Sequence, residues 1–189
     1  MSQFDNYKGL FAEEGDFDIP AIFQLGISYR LVPSTTLVTD YQHIGYGDIK
    51  SLANPNDEAL NSASPTDPNW MGNPGGIGGG WKKANIFKLG IEWKYSGRLA
   101  LRAGYSKANQ IIPKSQTLIN IVSPVVNDEH YTLGTGYALD NESQLHFVLR
   151  YAPKVTISGY APNTGGKNGQ QGDIYMEQTD FVISYSNSF

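Results

Sequence analysis

The stretch IFKLGIEWKYSGRLALRAGY, residues 86–105, alternates apolar and polar side chains almost without a break. Phe87, Leu89, Ile91, Trp93 and Tyr95 hold the odd positions, and Lys88, Glu92 and Lys94 hold even ones. After Ser96-Gly97 the pattern resumes, with Leu99, Leu101, Ala103 and Tyr105 set against Arg98, Arg102 and Ser106. Strand side chains point to opposite faces with a period of two, so this stretch reads as a hairpin with one apolar and one charged face. Two folds satisfy it. With the apolar face inside, the chain is a soluble sandwich or barrel; with that face outside, its solvent is lipid.

The same alternation recurs along the chain. Residues 19–31 carry Phe23, Leu25, Ile27, Tyr29 and Leu31 opposite Gln24, Gly26, Ser28 and Arg30. A second strand is expected over 36–48, where Leu37, Thr39 and Tyr41 share one phase and Ile44 and Tyr46 the other, which suggests a bulge near His43. Residues 130–139 and 143–157 alternate again, with Pro153 expected to force a bulge or local edge before Val155 and Ile157 continue the phase. A last strand runs from 174 to the end, with Phe181, Ile183, Tyr185 and Phe189 in phase.

Alternate connections are tight, at Pro33-Ser34, Ser96-Gly97 and Asp140-Asn141-Glu142. The others, 49–83, 111–128 and 161–173, are long and rich in Gly, Pro, Asn and Ser. Short turns at one end and large loops at the other match an up-and-down outer-membrane barrel better than a Greek-key sandwich. No stretch approaches the ~20 apolar residues of a membrane-spanning helix, which says nothing against spanning by strands.

The even face holds Arg30, Lys88, Glu92, Lys94, Arg98, Arg102, Arg150 and Asp180. Unpaired ions cost several kcal/mol each in a dry core, but a polar lumen hosts them readily, as does open water. The aromatics discriminate better: Tyr29, Trp93, Tyr95 and Tyr137 lie on the apolar phase close to short turns, as a membrane-interface girdle would. Tyrosines also gather at strand ends in soluble sheets. Lipid tolerates no unpaired sheet edge, and seven strands leave two. No basic region followed by an apolar run opens the chain. The chain is therefore expected to be the carboxy-terminal part of a longer protein, with a multi-chain barrel as the rival account.

The segments YKGLFAEEGDFDIP (7–20), LGISYRL, TDYQHIGYGDIKSLANP (39–55), WKKANIFKLGIEWKY (81–95), RLALRAGYSKANQIIP (98–113) and HYTLGTGYAL (130–139), with the final Phe189, together carry a resemblance. In that order they resemble the carboxy-terminal half of the FadL/TodX outer-membrane transporters. The resemblance implies an all-β, antiparallel, up-and-down transmembrane barrel of fourteen strands, of which these are the last seven. It implies an amino-terminal hatch, passage of long-chain fatty acids or other hydrophobic compounds, and an outer-membrane location in a Gram-negative bacterium. Residues 1–17 would end an extracellular loop and 18–189 would form the barrel half.

Leu10 and Phe11 are candidate extracellular contacts for an apolar ligand, since a loop gains nothing by exposing them uncovered; loop-on-loop packing is the alternative. Ile111 and Ile112, with Leu118, Ile119 and Ile121, form a second apolar patch that lines an entrance or packs on the rim. Arg30, Arg102 and Arg150 are lumen cations able to attract a carboxylate, or to pair with Asp40, Glu92 and Asp180. The resemblance further implies that Phe189, in phase with the apolar face, serves as the terminal aromatic that barrel assembly machinery recognises.

Other classes find no support. The glycines of WMGNPGGIGGGW (70–81) precede no helix, so they do not make a phosphate loop. Asp57, Glu58 and Asp67 lack calcium-loop spacing. His43, His130 and His146 have no Ser or Cys partner in a nucleophile motif, there is no cysteine, and no cofactor or enzymatic activity is expected. A net charge of −4 offers no footprint for nucleic acid. The expected partners are a hydrophobic small molecule, outer-membrane lipid, the assembly machinery and the other half of the barrel. The expected function is passive outer-membrane uptake, with an adhesive or structural barrel and a soluble β-sandwich binding protein as the alternatives.

Overall fold

A computed structural model describes residues 9–57, 62, 64–161 and 170–188. Phe189, Glu58 and residues 1–8 of the expected loop lie outside the described residues. The chain forms one seven-stranded sheet in the order β1 to β7, each strand hydrogen-bonded to its neighbour in sequence. The strands are β1 (Ile22–Val32), β2 (Thr35–Ile44), β3 (Ala84–Lys94), β4 (Leu99–Ala108), β5 (Glu129–Ala138), β6 (Ser143–Ala161) and β7 (Gln170–Asn187). All six pairings are antiparallel. This is the meander that the alternating segments and alternating loop lengths require.

The register places the odd positions of β1 to β5 on one face and the even ones on the other: Leu37 faces Ile91, and Glu92 faces Arg102. The odd face is open, with Leu25, Ile27, Phe87, Leu89, Leu133, Phe181 and Ile183 all more than half exposed. The even face is covered at its loop end. There Ile44, Ala84 and Ile174 join Ile111, Ile112, Val126 and Ile157 in a buried cluster, flanked by Tyr46, Trp81, Ile86, Val155 and Met176. The molecule's apolar core is therefore a lid of loops packed on the charged face. The lipid-type face is left open by the described residues.

Two expectations about strand geometry need correction. No bulge occurs near His43, because β2 pairs regularly with β3 from Thr35↔Trp93 to Ile44↔Ala84. Ile44 is on the even face for a packing reason: it belongs to the lid cluster. β2 ends there, where Gly45 N–H donates to Ala21 O (2.9 Å), and Tyr46–Asp48 is a 3-10 turn. The bulge expected at Pro153 is present, between Ala152 and Val155. It does not preserve phase, however. One extra residue inverts the faces of β6, so Lys154 and Thr156 turn outward while Val155 and Ile157 join the lid. Asn127 caps the irregularity, its Nδ2 donating to Pro153 O (3.2 Å) and Met176 O (3.4 Å). Beyond the bulge β6 and β7 stay paired to Ala161↔Gln170, so residue 161 and residues 170–173 of the loop expected over 161–173 are ladder.

Candidate functional site

The lid is assembled from the two long loops and the segment before β1. A one-turn helix, α1 (Lys50–Ala53), and another, α2 (Thr117–Asn120), lie over the even face. The glycine run threads between them. Gly79 and Trp81 N–H groups donate to Leu52 O (both 2.9 Å), and Gly80 N–H donates to Asn54 O (3.0 Å). A Cβ at position 78 would lie 2.6 Å from the backbone N and O of Asn54. Gly80 has φ +67° and presses on the Gln116 side chain. Glycine is required here for close approach of one loop backbone to another.

Buried amides lock the arrangement. Asn120 Nδ2 donates to Gly79 O and Gln116 O (both 2.7 Å), and its Oδ1 accepts from Trp81 Nε1 (2.7 Å). Gln116 Oε1 accepts from Asn56 N–H (2.7 Å). Such polar groups are buried safely because they are hydrogen-bonded. Sequence reading missed them, since nothing in a loop's composition separates a buried amide from a solvated one.

The apolar loop candidates divide. Ile111 and Ile112 are buried, at 7% and 2% exposure, inside the lid cluster; they pack the lid and are not presented on its rim. Phe11 forms a parallel bridge with Ile77 and stacks edge-on against Phe17, with centroids 5.1 Å apart. Leu10 stays exposed. The adjoining Glu13 takes a left-handed conformation and is tied by a 2.7 Å ion pair to Lys50 of α1.

Beneath the lid, the even face carries a row of recesses. The uppermost, a cavity of about 470 Å³, is lined by Gln42, Ile86, Lys88, Ser106, Asn127, His130 and Arg150 among others. Ile86 links it to the apolar cluster. Lys88 Nζ donates to Gln42 Oε1 (2.9 Å), and no carboxylate among the described residues pairs with it.

The lumen candidates sit on this face as expected, but they pair differently from one another. Arg102 meets Glu92 at 2.8 Å across β3–β4, and Arg150 meets Asp180 at 2.8 Å across β6–β7. Arg30 and Asp40 have no ion pair among the described residues. Register separates these two, with Asp40 opposite Gly26 and Arg30 opposite Thr36, four residues apart along the strand; on its other side Asp40 stands opposite Lys88, whose Nζ bonds Gln42 instead. Asp40 instead extends over Gly26, where no side chain intervenes.

On the odd face the apolar band is bounded at both ends by aromatics. Toward the short turns are Tyr29, Trp93, Tyr95 and Tyr137, with Trp93 and Tyr95 stacked edge-on at 5.1 Å. Toward the loops, Tyr105, Tyr131 and Tyr151 stand in register on β4, β5 and β6. Their hydroxyls donate to Glu129 (2.9 and 2.8 Å) and Glu177 (2.8 Å). Rings against hydrocarbon with hydroxyls in a polar layer form the two girdles of a membrane-spanning sheet.

Solved structures of similar fold include two titled as monoaromatic hydrocarbon channels and one FadL homologue. The TodX deltaS2S3 mutant monoaromatic hydrocarbon channel superposes with a TM-score of 0.64 at 19% identity, covering 92% of this chain and 36% of that one. The TodX deltaS2 mutant gives 0.63 at 20%, with the same coverages. A Pseudomonas aeruginosa FadL homologue gives 0.59 at 14%, covering 89% of this chain and 35% of that one. The chain thus spans about a third of the length of these relatives, and the likeness establishes its fold as part of a transmembrane β-barrel. A search of curated proteins finds no match. The profile of the family described as outer membrane protein transport protein (OMPP1/FadL/TodX) matches residues 12–184. With its sheet, girdles and polar inner face accounted for, the chain belongs to the OMPP1/FadL/TodX family of outer-membrane transport proteins.

Proposed function

We propose that these seven strands form one side of a passive outer-membrane passage for hydrophobic small molecules, with long-chain fatty acids as the favoured cargo. The observation that carries this reading is the cavity under the lid. An apolar cluster stands directly above it, and an ammonium group without a carboxylate partner, Lys88, projects into it. A molecule with an apolar tail and an anionic head matches both parts, because a charge-assisted hydrogen bond fixes the head while the tail stays out of water. Leu10, exposed at the outer surface of the lid, is suited to a first contact. Ile111 and Ile112 become ligand contacts when a tail enters the cluster they help to fill. A neutral hydrocarbon, the cargo that the TodX channel structures are titled for, leaves Lys88 unused.

The passage needs further strands. β1 and β7 run in the same direction, as the first and last members of an odd-numbered meander must. Joining them directly makes a parallel seam, so an antiparallel barrel takes an odd number of additional strands. A second copy of this chain in the same membrane orientation likewise meets it only through parallel seams. The proposed partner is therefore a different, odd-stranded segment, with the assembly machinery engaging the Phe189 end.

The test is uptake by cells producing the complete barrel, comprising this chain and the strands that close it. Labelled oleate should enter faster than in cells lacking the protein, and Lys88→Ala should raise the half-saturating concentration roughly tenfold, the worth of one hydrogen bond to a charged group. Equal uptake with and without the protein would refute the passage. Tenfold weakening absent in Lys88→Ala would refute the assignment of the head-group contact.

A further inference from the structure

The outer wall changes character at the bulge in β6. On the short-turn side of it, the outward positions of β6 and β7 carry Phe147, Leu149, Phe181 and Ile183. On the loop side they carry Lys154, Thr156 and Ser158 on β6 and Asp173 and Tyr175 on β7, all exposed. That polar strip is still ladder, with Thr156 opposite Tyr175 and Ser158 opposite Asp173. Long loops mark the extracellular end of outer-membrane barrels. Beyond the tyrosine girdle, the strip therefore stands in the headgroup layer of the outer leaflet.

Two features of this wall line up. One is a groove of about 260 Å³ in the apolar band, where Leu133, Thr135, Phe147, Leu149 and Phe181 meet. Thr135, opposite Phe147, is the short side chain among long ones. The other is Lys154, whose ammonium group lies over the Tyr175 ring, 4.5 Å from its centroid. Lys154 has no ion pair among the described residues, and the carboxylate of Glu177 in the same strip accepts from the Tyr151 hydroxyl (2.8 Å). Five residues of β6 separate Leu149 from Lys154, roughly 15 Å, with Tyr151 between them. The bulge creates this alignment, because without its extra residue Lys154 would turn to the inner face.

We propose that the outer wall of β5–β7 binds a phosphorylated glycolipid of the outer leaflet, with an acyl chain in the groove at Thr135 and a headgroup phosphate on Lys154. Charge complementarity selects an anionic head, since a lysine stacked on an aromatic ring is already ordered and keeps its donors free for a phosphate. Height selects a sugar. From Lys154 to Ser158 the strip rises about 13 Å along the strand, further than a glycerophospholipid head reaches, and it presents hydroxyls and an aromatic face suited to a saccharide. The site lies outside the barrel, so it needs no residue of the strands that close it and does not depend on what the interior carries.

The experiment measures lipid binding to the complete barrel in detergent by native mass spectrometry, with bisphosphorylated lipid A, its dephosphorylated form and phosphatidylglycerol as probes. Bisphosphorylated lipid A should bind at least tenfold more tightly than the other two. Lys154→Gln should weaken it roughly tenfold, the worth of one hydrogen bond to a charged group, and leave the dephosphorylated form unchanged. Thr135→Trp, which fills the groove, should weaken both forms. Lys107→Gln is the control, because Lys107 is already paired with Asp128 at 2.9 Å, and heat-modifiable migration confirms that each variant is folded. Equal affinity for the two forms of lipid A, or a loss in Lys107→Gln as large as in Lys154→Gln, would refute the phosphate contact. Wild-type binding by Thr135→Trp would refute the groove, and phosphatidylglycerol bound as tightly as lipid A would refute the glycolipid. Oleate uptake by the same cells is a separate readout, so the passage and this site stand or fall independently.

Discussion

Replacing Leu89 by arginine tests which solvent the odd face meets. Leu89 is the central residue of β3, five positions from Ala84 and five from Lys94, so about 17 Å of strand separates it from either end. An arginine there is too far from both interfaces to bring its charge to water by extending along the wall. It is 57% exposed within the chain, and its register neighbours on the same face, Thr39 and Tyr105, offer no carboxylate. A midplane arginine on a lipid face costs about 2–4 kcal/mol, equivalent to a loss of roughly 30-fold to several hundredfold in the folding equilibrium. Urea titration of the complete barrel folding into phospholipid vesicles, read by heat-modifiable migration, measures it. Lys88→Ala, one residue away on the inner face, should change the midpoint little, since Lys88 loses only its bond to Gln42. Equal shifts from the two substitutions would refute the assignment of faces.

Two further outcomes follow from local geometry. Gly78→Ala places a methyl group 2.6 Å from Asn54 backbone atoms; overpacking of this kind costs about 1–3 kcal/mol, so the 45–83 loop should become more sensitive to limited proteolysis while strand content by circular dichroism stays constant. In the short turn between β5 and β6, Asp140 accepts hydrogen bonds from the Glu142 N–H (2.8 Å) and Ser143 N–H (2.7 Å), which hold its carboxyl below the usual carboxylate range. A depressed value means the turn's extra stability is present above the unfolded-state pKa and disappears as pH falls through the folded one. Amide exchange at Glu142 and Ser143 should therefore lose protection on acidification beyond the intrinsic trend, and Asp140→Asn should remove that pH dependence.

The strands were legible because a sheet with one wet and one greasy face writes its period into every segment. The hairpin at 86–105 has the phase and turn expected of it, and the tight links at Pro33-Ser34 and Asp140–Glu142 fall where the pattern breaks. Residues such as Ile44, Val155 and Ile157 misled, because their partners lie in loops far away in sequence. A period-two reading asks only whether a side chain agrees with its strand, and it had no means to know that a loop lid covers the charged face at one end. For the same reason the sequence left Ile111 and Ile112 open between lining an entrance and packing on the rim, and only the fold shows that both are buried in the lid cluster. Arg102–Glu92 and Arg150–Asp180 were recoverable as charge complements on one face, yet their pairing depended on register, and register likewise kept Arg30 from Asp40.

The most direct measurement exploits the absence of cysteine in the sequence, which lets single nitroxide labels be placed in turn at 89, 133, 149 and 181 and at 88, 102, 132 and 180 in the membrane-inserted barrel. Collision with oxygen, which concentrates in hydrocarbon, should dominate relaxation at the first set, and collision with a water-soluble nickel chelate at the second. The reverse ranking, or free access of the nickel chelate to both sets, would contradict the claim that lipid is the solvent of the apolar face.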